Sequence, residues 1–173
     1  DGKLEAKYVQ SKRENAPLAV ILHPHPEYGG TMNNKVVYHA YHTFLKNGFS
    51  VCRFNFRGVG KSEGKFDNGL GELSDAAAAL DYIQRNNSNS NESWVIGFSF
   101  GALISMQLLM RRPEIFRFIS ISPQPNIFDF NFLAPCPTSG LVIYGDQDQL
   151  VPNDTMLILK EKLVSQKNIT VDF

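Results

Sequence analysis

Histidine stops early in this chain. All four, His23, His25, His39 and His42, fall before residue 43 of 173. Cysteine is scarce as well. Cys52 and Cys136 stand far apart with no metal-ligand or C-x-x-C spacing, so two reduced thiols and a cytoplasmic setting are the expectation. Neither sign of charge is in excess: 17 Lys plus Arg face 17 Asp plus Glu. No net field therefore favours nucleic acid or an anionic membrane surface. No apolar run approaches the ~20 residues of a membrane span, and no signal-peptide pattern is visible.

What is present suits one folded domain over residues 1–173. Apolar residues make up 43% and charged residues 20%, an ordinary globular balance. Leu4–Gln10 reads as an edge strand and Pro17–His23 as a buried one. Further strands are expected over Phe49–Phe56, Ser93–Ile96, Phe116–Ser122, Gly140–Gly145 and Asn168–Phe173. Helices are expected over Lys35–Asn47, Leu73–Arg85, Ala102–Met110 and Asp154–Ser165. Gly48 closes the first of these, and Ser74 and Asp75 stand at the start of the second. Asn86–Asn91 is a polar connector expected to be mobile. Strands alternating with helices predict an α/β protein: a mostly parallel, doubly wound sheet with helices on both faces. Ligands in such sheets sit at the carboxyl ends of the strands.

Gly97-Phe98-Ser99-Phe100-Gly101 lies between a strand-like and a helix-like run. A strand–G-x-S-x-G–helix junction is a nucleophile elbow: a strained turn that lifts the serine oxygen above the sheet, with small residues where strand and helix pass. A serine hydroxyl needs a base to take its proton, and that base needs a carboxylate to orient it. Asp146-Gln147-Asp148 follows the next-but-one strand after the elbow. Asp148 is preferred as the acid because it lies further into the loop, while Asp146 is expected to cap the turn after Gly145.

These motifs resemble the α/β-hydrolase superfamily, specifically the small bacterial hydrolases related to dienelactone hydrolases. The resemblance rests on His23-Pro24-His25-Pro26-Glu27-Tyr28-Gly29-Gly30-Thr31-Met32, on Arg53–Ser62, on the elbow and on Gly145–Pro152. Dienelactone hydrolases proper carry cysteine at the elbow, so their substrate does not transfer. In this family the catalytic histidine follows the last strand, beyond the acid. The resemblance therefore implies a base after Phe173, with native ends extending past both ends of the sequence; the alternative is that His25 substitutes from the opposite side. The oxyanion hole needs two backbone N–H groups. Phe100 is expected to supply one. Pro24 and Pro26 have no N–H, which leaves His25 for the other. Tyr28 and Phe98 are expected substrate contacts, and His23 is expected to be structural. Pro123–Ser139 is too short for a cap domain.

The implied activity is hydrolysis of a small carboxylic ester or thioester through an acyl-enzyme on Ser99. A peptidase or amidase of the same fold, or a non-catalytic binding protein on a hydrolase scaffold, are the alternatives. No cofactor or metal is expected, and a homodimer is left open. Gly60-Lys61-Ser62 mimics the end of a phosphate loop, but Asn55 stands where that motif needs its first glycine. His39 and His42 share a helix face without a third ligand at suitable spacing. The phenylalanine-rich Asn126–Phe132 suits core and substrate pocket equally.

Overall fold

A computed structural model describes residues 2–173. Its strands are β1 (Ala6–Val9), β2 (Leu18–Leu22), β3 (Ser50–Phe54), β4 (Ser93–Phe98), β5 (Ile115–Ile121), β6 (Gly140–Ile143) and β7 (Val171–Asp172). They form one sheet in the order β1-β3-β2-β4-β5-β6-β7, antiparallel only between β1 and β3. β2 (Leu-Ala-Val-Ile-Leu) is buried at every position because helices cover both of its faces, which removes any need for polar alternation. The order reverses between β2 and β4, and the elbow sits at the carboxyl end of β4.

Four helices connect the strands: α1 (Lys35–Lys46), α2 (Leu70–Arg85), α3 (Phe100–Leu109) and α4 (Asn153–Val164). α1 packs on one face through Val37 and Tyr41 against Ala19, Ile21, Val51 and Ile96. The other face holds the larger core, where Leu80, Ile83, Ile104, Met106 and Leu163 meet Val20, Val95 and Phe118. Asn34 starts α1 by accepting a bond from the Val36 N–H at 2.9 Å.

Two expectations need correction. α2 begins at Leu70, three residues before Leu73. The Glu72 carboxylate accepts the Gly69 and Asp67 N–H groups at 2.7 and 3.0 Å, so it caps the helix one turn earlier. Asp75 is therefore not at the helix start. It pairs with Arg57, accepting bonds from the guanidinium and from the Arg57 N–H. The Asn86–Asn91 connector is not a free tether. The Asn87 amide donates to Tyr8 Oη at 2.7 Å and to the Ile83 carbonyl, and accepts from Ser50 Oγ at 2.9 Å. The asparagine run looked polar and mobile, yet one member ties β1, β3 and α2 together.

Candidate active site

Ser99 occupies the single residue between β4 and α3. It adopts φ 56° and ψ −116°, a left-handed conformation that costs a non-glycine residue on the order of 1–3 kcal/mol. Close packing on either side imposes it. A Cβ on Gly97 would collide with the Gly101 carbonyl oxygen and lie 2.6 Å from the Ala102 Cα. A Cβ on Gly101 would lie 2.5 Å from the Leu22 carbonyl oxygen and 2.6 Å from that of His23. Both glycines allow α3 to cross β2 and β4 at backbone contact. The half-buried Ser99 hydroxyl donates to Gln124 Oε1 at 3.0 Å. Gln124 follows β5 and was not singled out by the sequence. Its only signal was a polar residue between Pro123 and Pro125 at a strand's carboxyl end.

The loop after β2 borders the elbow. His25 caps the short 3-10 turn Pro26–Tyr28, and its Nδ1 accepts the Glu27 N–H at 3.2 Å. Its carbonyl accepts the Tyr28 and Gly30 N–H groups at 3.2 and 2.9 Å. The His25 N–H itself donates to no group among the described residues. Phe100 opens α3, so its N–H has no acceptor within the helix. Phe100 directly follows the serine, and His25 lies in the loop that packs on Phe100. The His25 ring packs on Phe100 with centroids 4.9 Å apart.

His23 is fully buried and both ring nitrogens are engaged. Nδ1–H donates to the Pro24 carbonyl at 2.6 Å, and Nε2 accepts the Phe56 N–H at 3.0 Å. That pattern fixes a neutral ring, and burial pushes its pKa down to about 4. Unfolded, the ring titrates near 6.5, so below that pH the unfolded chain holds a proton that the fold refuses. Stability is therefore expected to fall as pH drops from about 6.5 to 4, by roughly 3 kcal/mol in total. Urea unfolding of wild type and His23→Gln across that range checks it. The variant should lose this part of the pH slope; an unchanged slope would clear His23 of the effect.

Asp148 lies past the carboxyl end of β6, half-buried on the same edge of the sheet. Here the expected division of labour between the two aspartates is corrected. The Asp148 carboxylate caps the turn, with Oδ1 accepting the Leu150 N–H at 2.8 Å, whereas Asp146 contributes only its carbonyl, which accepts from Asn153. Phe98 ends β4 half-buried beside Ile121, and Tyr28 is 86% exposed above the His25 ring. None of the four histidines hydrogen-bonds to Ser99. His39 and His42 lie on α1, with the His42 ring against Tyr38.

The other singled-out segments have structural work. Ser62 donates to the Asn55 carbonyl, and the Lys61 N–H donates to Glu5, so Gly60–Ser62 fastens the segment before β1. The phenylalanine-rich stretch divides. Phe130 is core, while half-buried Phe128 lies 6.1 Å from Phe100. Among the described residues, no three His, Cys, Asp or Glu side chains cluster to hold a metal ion, and no helix is long and apolar enough to cross a membrane.

Comparison with known proteins gives a consistent picture. The sequence model of the X-Pro dipeptidyl-peptidase (S15) family matches residues 2–132. An uncharacterized protein of Rickettsia prowazekii is 52% identical over 177 residues, covering all of this chain and 74% of that protein. A protein of unknown function from Agrobacterium tumefaciens, described as a candidate α/β hydrolase, is 57% identical with a TM-score of 0.94, over 98% of this chain and 78% of its own. A lid-less α/β serine hydrolase from Xanthomonas campestris is 31% identical with a TM-score of 0.84, over 99% and 81% of the two chains.

Proposed function

From the premise that the chain belongs to the S15 family of the α/β-hydrolase superfamily and is a hydrolase, we propose that it cleaves a small carboxylic ester or thioester through an acyl-enzyme on Ser99. The observation carrying this reading is the strained Ser99 at the elbow between β4 and α3. Ser99 Oγ attacks the acyl carbon, and the Phe100 and His25 N–H groups receive the developing oxyanion. The serine proton goes to a base, which passes it to the leaving group. Water then enters by the reverse sequence and frees the acid.

The proposed base is a histidine other than His23, His25, His39 and His42. His23 is neutral with both nitrogens engaged, the His25 Nδ1 is occupied by Glu27, and His39 and His42 lie on α1. Asp148 is assigned as the acid that orients it, using the oxygen not bonded to Leu150. Gln124 holds the Ser99 proton donor in the structure, but an amide oxygen is too weakly basic to remove that proton. The base must displace it.

Ester cleavage is favoured over the peptidase activity of the S15 family's namesake. A dipeptidyl-peptidase must hold a substrate ammonium group. The two buried carboxylates near the loops, Glu72 and Asp75, are committed to the α2 cap and to Arg57. Pro123–Ser139 carries only a 3-10 turn at Asn131–Leu133, which supports an open site for small substrates. The free thiols Cys52 and Cys136 support a cytoplasmic setting.

Fluorophosphonate labelling of the full native chain tests the reading. One covalent adduct on Ser99, with hydrolysis of p-nitrophenyl acetate and none of an X-Pro p-nitroanilide, is the expected result. Cleavage of the anilide would restore the peptidase. No adduct and no turnover would leave a binding protein.

A further inference from the structure

Five aromatic rings from four separate segments converge beside Ser99. The His25 ring lies 4.7 Å from Tyr28, 4.9 Å from Phe66 and 4.9 Å from Phe100. Phe100 in turn lies 5.8 Å from Phe66 and 6.1 Å from Phe128. Tyr28 and His25 come from the loop after β2, Phe66 from the loop after β3, Phe100 from the elbow and Phe128 from the segment after β5. The hydrophobic effect alone does not ask for this composition, since leucine or isoleucine would fill the same space. Only Phe100 is fully buried; His25, Phe66 and Phe128 are half-exposed, and Tyr28 projects into solvent. Faces of these rings are therefore available to a ligand.

From this arrangement we propose that the site selects acyl groups bearing an aromatic ring, which packs against His25, Phe66, Phe128 and Tyr28. The inference rests on the hydrolase reading above and adds the substrate class. A carbonyl oxygen held by the His25 and Phe100 amides sits between the two residues whose rings anchor the cluster. The acyl substituent then leaves the carbonyl alongside those rings. A flat ring meets them in offset or edge-to-face geometry and gains quadrupole attraction beyond its buried area. A saturated ring of the same size gains only the area. Burial also holds the His25 imidazole below its ordinary pKa, so at neutral pH it presents an uncharged face.

The test compares p-nitrophenyl phenylacetate with p-nitrophenyl cyclohexylacetate on the full native chain. The two share leaving group and bulk and differ in aromaticity. The phenyl ester is expected to have at least about fivefold higher kcat/KM. In Phe66→Leu and Tyr28→Leu the ratio, read within each variant, should fall toward one. The solvent-exposed position of Tyr28 keeps the second variant folded. A wild-type ratio of one, or a ratio unmoved in both variants, overturns the aromatic selection. Fluorophosphonate labelling separates the two levels. A chain that labels and hydrolyses p-nitrophenyl acetate without discriminating loses only this inference. A chain that neither labels nor turns over loses the hydrolase reading and this inference with it.

Discussion

Ser99→Ala is expected to abolish ester hydrolysis, lowering kcat by about four orders of magnitude or more. The loss is that large because, in the proposed mechanism, the oxygen itself forms the acyl-enzyme. The Phe100 and His25 amides can still bind a carbonyl, but with no nucleophile they only favour attack by water. Stability should hardly change. The variant loses one half-buried bond to Gln124, worth about 1 kcal/mol. Alanine tolerates the left-handed backbone no worse than serine does. Steady-state turnover of p-nitrophenyl acetate and a thermal melt together check both halves. Wild-type turnover in a folded variant would remove Ser99 from the chemistry.

Gly97→Ala should be almost as damaging for a different reason. The added methyl would meet the Gly101 carbonyl and the Ala102 Cα, both backbone atoms at the start of α3. No side-chain rotation relieves such a contact, so α3 must shift away from β4 and β2. The expected cost is on the order of 3 kcal/mol or more, at the upper end of overpacking effects. It would appear as a lower urea midpoint at unchanged slope. Activity should fall further than stability, because the same shift carries Ser99 and the Phe100 amide away from the His25 amide. An alanine variant with wild-type midpoint and turnover would show that the junction is looser than its contacts imply.

The sheet was legible because its strands are locally unambiguous. Leu18–Leu22 is a continuous apolar run, and Gly97–Gly101 marks a junction that few other sequences of events in a fold require. The start of α2 was not legible from local composition. Ser74 and Asp75 are good capping residues, but Glu72 reaches back to Gly69, and Asp75 is drawn off by Arg57, 18 positions away along the chain. The order of the aspartates misled for a similar reason. Either could cap the Gly145 turn, and the choice depends on where the Leu150 N–H points. Gln124 and Phe66 had no periodicity or motif to announce them, since their place beside Ser99 exists only once three loops meet at one edge.

His23 has a consequence for timing. Its ring fastens the end of β2 to Phe56 at the exit of β3, while the His25 carbonyl and the Gly30 N–H close the turn that follows. A Cβ on Gly30 would collide with the Pro24 carbonyl oxygen, so that turn has no slack. The His25 amide, proposed above as an oxyanion donor, is therefore positioned when the chain folds, not when a ligand arrives. Encounter with a substrate needs no loop ordering on this side of the serine, and the entropy of fixing that donor is settled before the first turnover.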